Sequence, residues 1–343
     1  MKALVLQEFG TMSVAELPDP VAQPGEVLIR VIATGICGSD IHGFTGENGR
    51  RTPGQVMGHE SVGRIEALGK GSAGEGLQMG RLVTFNPVVV PESDLAAYAG
   101  REQHSPGKYV IGVRPDLVSA FAQLITVPVR NVVPLPDDLP VSYGALIEPL
   151  AVAVHAVRRV HAEPGQGVLV VGGGPIGQSV VLALLMAGVT DIVVSEVQPG
   201  RRALVEQLGA TSVDPTTEPV ADQLARILGR LADVTIDAVG TSRTLSDAVV
   251  STAFGGSICL VGMGSPALEL DAFRISTEER SIVGSFTYSA QDFADAATWI
   301  ATAPAVAAQL VSREVPLDAA GDAFSALAAG DGTAGKVLVR LDR

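Results

Sequence analysis

The chain has 343 residues, and its formal net charge of −13 makes it strongly acidic. An acidic surface repels phosphates, so we expect a small-molecule ligand and neither nucleic acid nor an anionic membrane as partner. Hydrophobic residues account for 47% of the sequence and charged residues for 18%, which is typical of a folded protein with a large interior. A chain of this length is expected to form two domains.

The N-terminal sequence and the cysteines both favour a cytoplasmic location. Residues 1–10 reach polar and acidic side chains too early to form the apolar core of a signal peptide. No apolar run free of glycine or charge is long enough to cross a membrane. Cys37 and Cys259 lie far apart in sequence, so a disulfide framework is not expected.

Residues 1–155 are predicted to form an all-β, barrel-like domain. Short runs rich in β-branched residues, such as 26–31 and 61–65, alternate with proline and glycine turns. Helical periodicity is weak throughout this part of the sequence. The pattern therefore predicts strands joined by tight turns.

Residues 291–343 are expected to complete this first domain. They begin with a predicted helix at 293–301 and continue through an alanine-rich stretch at 319–329, a composition that favours helix. The segment 335–340 reads as a final strand. The tail as a whole is predicted to be β-rich.

A group of side chains in the first domain suits a metal ion. Cys37, His59 and Glu60 supply a thiolate, an imidazole and a carboxylate, the side-chain types that bind zinc. A second acid, Glu148, lies in an apolar run, where an unpaired carboxylate is costly unless it faces a metal or its water. Each residue alone is more often an ordinary core or surface residue, and their joint occurrence favours an open catalytic zinc site. The sequence leaves open whether Glu60 or Glu148 binds the ion.

Residues 156–290 are predicted to form a doubly wound α/β domain. Apolar strands alternate with helical segments, and strands this apolar are buried on both faces, as in a parallel sheet covered by helices. The predicted strands lie at residues 168–171, 191–195, 233–237, 257–261 and 281–284.

A dinucleotide-binding signature follows the first of these strands. Gly172, Gly174 and Gly177 form the pattern G-x-G-x-x-G, which permits a tight turn and a close approach of the backbone to a pyrophosphate. Pro175 and Ile176 open the next helix, whose N-terminal amides are expected to face the phosphates. The motif alone is weak, and its place between a strand and a helix strengthens it.

An acid at the end of the second strand of this domain bears on the choice of cofactor. Glu196 lies 19 residues after Gly177, where a carboxylate binds the adenosine ribose hydroxyls and repels a 2′-phosphate. The sequence therefore favours NAD over NADP. Arg201 and Arg202 weaken that preference, because either guanidinium is able to approach a 2′-phosphate.

The turns after the later strands are predicted to border the nicotinamide. Val261 and Met263 follow one strand, and Ser285 and Phe286 follow the next. In a doubly wound sheet the ligand binds at the carboxyl ends of the strands. Cys259, inside an apolar strand, is predicted to be buried core.

The chain resembles the zinc-dependent medium-chain dehydrogenase/reductase family, close to its sorbitol, polyol and butanediol dehydrogenase branch, over essentially its whole length. The segments that carry the resemblance lie at residues 35–42, 58–60, 148–151, 172–177 and 335–337. The resemblance implies a GroES-like β-barrel catalytic domain and a Rossmann domain that binds NAD(H). It also implies that Cys37, His59 and either Glu148 or Glu60 hold one catalytic Zn²⁺.

The resemblance further implies a mechanism. Zinc binds the substrate hydroxyl and lowers its pKa, so that an alkoxide forms and transfers a hydride to the nicotinamide. Ser39 accepts the proton and His42 passes it towards solvent. Asp40 orients the imidazole of His59. Together with Glu60, these are the catalytic residues that the resemblance implies.

One lobe departs from the family pattern. Many relatives bind a structural zinc through four cysteines spaced C-x2-C-x2-C-x7-C. Here the corresponding positions are Pro91, Asp94, Ala97 and Ser105. We therefore expect no structural zinc, and we expect the lobe to be held by packing of residues such as Leu95 and Tyr98, or to be mobile.

The leading hypothesis is an NAD(H) oxidoreductase that interconverts a secondary alcohol (a polyol, diol or cyclitol) and its ketone. One alternative is a zinc-free NADPH quinone or enone reductase on the same fold, which predicts the loss of Cys37 and His59, and both are present. The other alternative is a nucleotide-binding scaffold without turnover. By resemblance alone, we expect a homodimer or homotetramer.

Overall fold

The computed structural model describes residues 1–47, 49–74 and 76–342. The chain divides into two compact units, of which the first comprises Met1–Glu148 with Ser289–Arg343 and the second comprises Pro149–Tyr288. Within the described residues, no helix combines the length and the apolar character needed to span a membrane.

The strands and helices are numbered in chain order. The strands are β1 (Lys2–Glu8), β2 (Thr11–Glu16), β3 (Glu26–Gly35), β4 (Glu60–Leu68), β5 (Leu82–Phe85), β6 (Val88–Val89), β7 (Tyr109–Val110), β8 (Leu124–Pro128), β9 (Val132–Pro134), β10 (Gly167–Val171), β11 (Asp191–Ser195), β12 (Thr211–Val213), β13 (Ala232–Asp237), β14 (Thr252–Leu260), β15 (Ser281–Gly284), β16 (Val311–Pro316) and β17 (Lys336–Arg340). The α-helices are α1 (Gly38–Thr45), α2 (Val141–Gly144), α3 (Ile147–Arg159), α4 (Pro175–Met186), α5 (Pro199–Gln207), α6 (Val220–Leu228), α7 (Ser242–Ser251), α8 (Ala272–Thr277), α9 (Ala290–Ala301) and α10 (Ala320–Ala328).

The first unit is built on a mixed sheet in the order β16-β17-β3-β4-β5-β9, with β8 also paired to β3. Strand β3 is the centre of this sheet, and its side chains Val27, Ile29 and Val31 are buried. The antiparallel register of β3 with β4 sets Gly35 opposite Glu60. This register brings the end of one strand and the start of the next to the same place, which is where the predicted metal ligands lie.

The tail of the chain contributes to this sheet and is less β-rich than expected. Strand β17 pairs antiparallel with β3, and β16 pairs parallel with β17. The alanine-rich stretch forms helix α10, as its composition predicts. Helix α9 begins three residues before the predicted start, because Ser289 caps it and Asp292 bonds back to the cap.

The second unit is a six-stranded parallel sheet in the order β12-β11-β10-β13-β14-β15. The first strand, β10, lies in the middle and is buried along its whole length. The chain leaves β10 in one direction for β11 and β12 and later in the other for β13, β14 and β15, so the order reverses beside β10. The predicted doubly wound parallel sheet is confirmed, and the short polar strand β12 was not predicted.

Candidate metal centre and cofactor site

The first candidate ligand, Cys37, lies where strand β3 gives way to helix α1. Cys37 is the N-cap of α1 and has an extended backbone conformation. Its backbone N–H donates to the Asp40 carboxylate at 3.2 Å, which fixes the first turn of the helix. Cys37 is half-buried, whereas Asp40 is fully buried. The short helix therefore holds a thiol and a buried acid in one turn.

Three of the predicted metal ligands are brought together. The ligand atoms of Cys37, His59 and Glu60 all lie within 4.8 Å of one another. His59 and Glu60 are buried, and a Cβ added to Gly35 would collide with the Glu60 carboxylate. Sulfur, nitrogen and oxygen donors in this number suit zinc with a position left for substrate. The donor set thus fits the ion that the sequence predicts.

The Glu60 carboxylate has one oxygen bonded and one oxygen without a partner. Oε1 accepts a hydrogen bond from the buried Lys336 Nζ at 2.6 Å, and Oε2 has no hydrogen-bond partner among the described residues. Burial disfavours the charged amine, but the neighbouring Glu60 and Cys37 raise the pKa of Lys336 above its ordinary value. A buried carboxylate oxygen without a donor is costly, and a cation beside it removes that cost.

Lys336 lies in a segment that carries the family resemblance, and the sequence alone assigns it no role. It is the first residue of β17, and the register of β17 with β3 carries it to Glu60. The signal in the sequence is a lysine at the head of a strand whose next three residues are apolar.

A second buried group lies behind His59. Its Nδ1 is 3.6 Å from Asp40 Oδ1, and Arg51 Nη2 is 3.7 Å from the same oxygen. Burial raises the pKa of Asp40, although His59 and Arg51 both act to lower it. Burial also disfavours the imidazolium, but Asp40, Cys37 and Glu148 raise the pKa of His59 well above its usual value. Asp40 therefore lies next to His59, as the sequence predicts. Arg51, which the sequence does not predict at this site, lies on the other side of the Asp40 carboxylate.

Glu148 lies in the first turn of α3 and is buried. It is not one of the three residues whose ligand atoms converge within 4.8 Å, yet its charge helps to raise the pKa values of His59 and Lys336. The geometry therefore places Glu60 inside the cluster and Glu148 beside it.

Ser39 and His42, the predicted proton relay, are both on helix α1. They are three residues apart, so their side chains share one face of the helix. Ser39 is half-buried, while His42 is exposed with its Nδ1 at 3.0 Å from Glu47 Oε2. This face of the helix runs from the partly buried serine to solvent.

The glycine pattern of the second unit forms a close turn between β10 and α4. Gly172 has φ of 96°, a left-handed conformation that favours glycine. A Cβ on Gly177 would collide with the carbonyl oxygen of Gly172. Gly174 is the N-cap of α4 and Pro175 is its first residue, followed by the half-buried Ile176. The turn leaves the helix N-terminus open to an anion.

Glu196 follows strand β11 and contacts this turn. Its Oε2 accepts from the Gly173 N–H and its Oε1 from the Gln198 N–H, both at 2.7 Å. Both oxygens are bonded, so the carboxylate is held in one position at the edge of the predicted adenosine site.

The two arginines after Glu196 differ. Arg202 Nη1 donates to the carbonyls of Glu196 and Val197 and pairs with Asp214 at 3.0 Å. Arg201 instead lies beside the turn, with its Nη1 3.7 Å from where a Gly174 Cβ would be. Of the two arginines, Arg201 is therefore the one that lies beside the glycine turn.

The predicted nicotinamide-side residues lie at the carboxyl ends of β14 and β15. Val261 and Met263 follow β14, and Ser285 and Phe286 follow β15. Met263 and Phe286 are exposed. Cys259 is fully buried within β14, as predicted, and burial raises the pKa of its thiol to about 12.

The lobe at residues 86–106 is tied by a hydrogen bond that the sequence did not predict. Ser105 Oγ donates to Asp94 Oδ2 at 2.6 Å, and Ser105 is fully buried. These two residues occupy two of the four positions to which the family resemblance assigns cysteine in many relatives. Leu95 and Tyr98 are only half-buried, so their packing is not the whole explanation.

Comparison with known proteins establishes the family. Residues 23–137 match the alcohol dehydrogenase GroES-like domain, and residues 175–302 match the zinc-binding dehydrogenase domain. The L-galactonate-5-dehydrogenase of Escherichia coli K12 is 33% identical over 318 residues, which are 92% of each chain. The sorbitol dehydrogenase of Ovis aries is 30% identical over an alignment of 347 positions that covers 99% of this chain and 96% of that one. The chain belongs to the zinc-binding dehydrogenases of the medium-chain family, and the predicted resemblance and GroES-like fold are confirmed.

Solved structures agree with this assignment. The 2R,3R-butanediol dehydrogenase of Bacillus subtilis is 29% identical with a TM-score of 0.89, and 99% of each chain is covered. A protein of Sinorhizobium meliloti 1021 bound to NADP is 31% identical with a TM-score of 0.88 and 99% coverage of each chain. An E. coli CFT073 alcohol dehydrogenase complexed with NADH is 26% identical with a TM-score of 0.89, again with 99% of each chain covered. The chain is therefore an oxidoreductase that uses zinc and a nicotinamide dinucleotide on an alcohol.

Proposed function

We propose that the chain interconverts a secondary alcohol, which is a polyol, diol or cyclitol, and the corresponding ketone, with NAD(H) as cofactor. The observation that carries this proposal is the convergence of Cys37, His59 and Glu60 within 4.8 Å, with Glu60 Oε2 lacking any hydrogen bond among the described residues. Zinc-free reduction of an activated double bond makes no use of such a donor set.

The metal is proposed to be held by Cys37, His59 and an acid. Glu60 is the acid whose oxygen lies in the cluster, and Glu148 is the alternative from the same buried group. A zinc ion held there would supply Lewis acidity, which would favour deprotonation of the substrate hydroxyl. Asp40 orients the His59 ring from its Nδ1 side, which leaves Nε2 for the metal.

The proton is proposed to leave along helix α1. Ser39 accepts it from the substrate hydroxyl, and His42, which is exposed and paired with Glu47, delivers it to solvent. The order of burial along the helix supports this direction of transfer.

The cofactor is proposed to bind at the turn formed by Gly172, Gly174 and Gly177, with Pro175 and Ile176 at the helix end that faces the pyrophosphate. Glu196 is held by two backbone N–H groups beside this turn, which supports a preference for the unphosphorylated ribose of NAD. Arg201 meets the adenosine side, while Val261, Met263, Ser285 and Phe286 border the nicotinamide. A cytoplasmic homodimer or homotetramer remains part of the proposal.

A panel of secondary alcohols, scored by the reduction of NAD and NADP, tests the proposed reaction. Oxidation of a polyol, diol or cyclitol with NAD, by protein that contains one tightly bound zinc per chain, is the expected result. Two zinc ions per chain would contradict the expectation for the lobe. A metal-free protein that reduces enones with NADPH would overturn the proposal.

A further inference from the structure

Arg51 is a buried arginine for which neither the proposed reaction nor the fold gives a role. Its side chain is 1% exposed, and its Nε and Nη2 have no hydrogen-bond partner among the described residues. Its Nη1 donates, over 3.4 Å, to the carbonyl of Arg50. Burying a guanidinium is expensive unless an anion compensates it, so a specific reason for its position is required.

The position is built into helix α1. Gly43 faces the arginine, and a Cβ there would collide with the Arg51 Cγ, so the helix makes room for the side chain only because residue 43 is glycine. Asp40 lies three residues earlier on the same helix, and its Oδ1 is 3.7 Å from Arg51 Nη2. Asp40 Oδ1 also lacks a hydrogen bond among the described residues and lies 3.6 Å from His59 Nδ1. Arg51, Asp40 and His59 are therefore successive neighbours, and His59 belongs to the metal cluster.

The charges around the metal cluster explain why an arginine is buried beside Asp40. Among the described residues that form or adjoin the cluster, we count two cations, Arg51 and Lys336, and four acidic groups, Cys37, Asp40, Glu60 and Glu148. Once the thiol is ionised for metal binding, these side chains sum to a charge of −2, which a divalent ion neutralises. Each cation lies against one acid, Lys336 against Glu60 and Arg51 against Asp40. Loss of either cation would leave a buried negative charge in excess.

We propose that Arg51 is a positioning residue of the metal centre. Its guanidinium holds the Asp40 carboxylate between itself and His59, so that Asp40 orients the imidazole for metal binding. Arg51 acts through Asp40 and touches neither metal nor substrate. The inference rests on the proposed function, because it takes Cys37, His59 and Glu60 as the metal ligands.

The test compares Arg51→Met with Arg50→Met, a matched control. Arg50 is the neighbouring arginine and is exposed, so its substitution removes the same charge from the same loop without opening the buried site. Zinc affinity is measured by competition with a chromophoric chelator, and the thermal midpoint of each metal-free variant is recorded beside it. We expect Arg51→Met to weaken zinc binding by at least about tenfold and Arg50→Met by less than about twofold. We expect Arg51→Lys, which keeps the charge, to fall between them.

A double-mutant cycle with Asp40→Asn separates positioning from a general structural role. If Arg51 acts through Asp40, Arg51→Met weakens zinc binding in the wild-type background and has less than about a twofold effect in the Asp40→Asn background. An equal loss in both backgrounds, or wild-type affinity in Arg51→Met, would overturn the inference. Should Arg51→Met fail to fold, Arg51→Lys is compared in the wild-type and Asp40→Asn backgrounds instead. The double variant Arg51→Met/Asp40→Asn, in which both buried charges are removed together, is compared with Asp40→Asn alone. Wild-type protein that binds no zinc contradicts the proposed function itself, whereas tight zinc binding that ignores Arg51 contradicts only this inference.

Discussion

The acids of the two ligand sites, Glu60 in the first unit and Glu196 in the second, are held in different ways. In the first unit, Glu60 Oε2 has no hydrogen bond among the described residues, and the same holds for Asp40 Oδ1 and His59 Nδ1. In the second unit, the acid of the site, Glu196, has both oxygens bonded to backbone N–H groups. The first site consists of side chains and the second consists largely of backbone.

This difference indicates how each site depends on its ligand. Unpaired buried polar atoms cost free energy, which a bound cation recovers, so the metal centre is expected to gain stability from its metal. A carboxylate that two backbone N–H groups already hold, as they hold Glu196, is in place before the cofactor arrives. Disruption of the metal centre should therefore leave cofactor binding intact, and disruption of the cofactor site should leave zinc binding intact.

The largest effect is expected from Cys37→Ala. Loss of the thiolate should remove the metal and lower turnover by about a thousandfold or more, because polarisation of the hydroxyl is lost. Metal analysis and alcohol oxidation measure the loss, and calorimetry with NADH shows whether the cofactor still binds. The matched control is Cys259→Ala, since the other cysteine is buried in β14. Zinc retained by Cys37→Ala would show that this residue is not a ligand.

Gly177→Ala disrupts the cofactor site instead of the metal centre. The added methyl group collides with the Gly172 carbonyl, and overpacking of this kind costs about 1–3 kcal/mol, so NADH binding should weaken by about ten- to a hundredfold. The zinc content should stay unchanged. Gly284→Ala is the control, because a Cβ at that position meets no atom within 4 Å. Loss of zinc from Gly177→Ala would mean that the two sites are not independent.

A smaller effect is expected from Glu196→Gln. The substitution keeps the shape but removes the negative charge, so NAD should bind about tenfold more weakly and NADP should be discriminated against less strongly. The ratio of kcat/KM for the two cofactors is the measurement. Glu206→Gln, on the exposed side of α5, removes the same charge elsewhere in the unit. An unchanged ratio in Glu196→Gln would refute the assignment.

The smallest effect is expected from Ser105→Ala in the lobe. Loss of the bond to Asp94 should lower the Tm by only a few degrees and leave zinc content and turnover as they are. The hydrogen bond from Ser105 lowers the pKa of Asp94, so its contribution is present above the ordinary aspartate pKa. The difference in Tm between the two proteins should shrink as the pH falls through about 4 and below. A difference that grows in acid would contradict this explanation.

The sequence predicts most of the fold and part of the candidate site. Glycine spacing and apolar strands mark the second unit because its contacts are local and periodic. Strand β12 was missed because its three residues, 211–213, include two polar ones and resemble a loop. Cys37, His59 and Glu60 were found because their residue types suit a metal.

Lys336 and Arg51 were not assigned roles, for two different reasons. Lys336 is 276 residues from Glu60, and no local pattern connects them. Arg51 follows a glycine and another arginine, a sequence that normally reads as an exposed loop. Both lysine and arginine are rarely buried, so only tertiary packing, through β17 and α1, shows that these two are.

The bond between Lys336 and Glu60 also has a consequence for synthesis of the chain. Ribosomes add about 5–20 residues per second, so about 15 to 55 seconds pass between the appearance of the carboxylate and that of its amine. The candidate ligands are thus all made long before strand β17. During that interval Glu60 has no Lys336 to pair with. The metal centre therefore reaches its final charge only after strand β17 has been made.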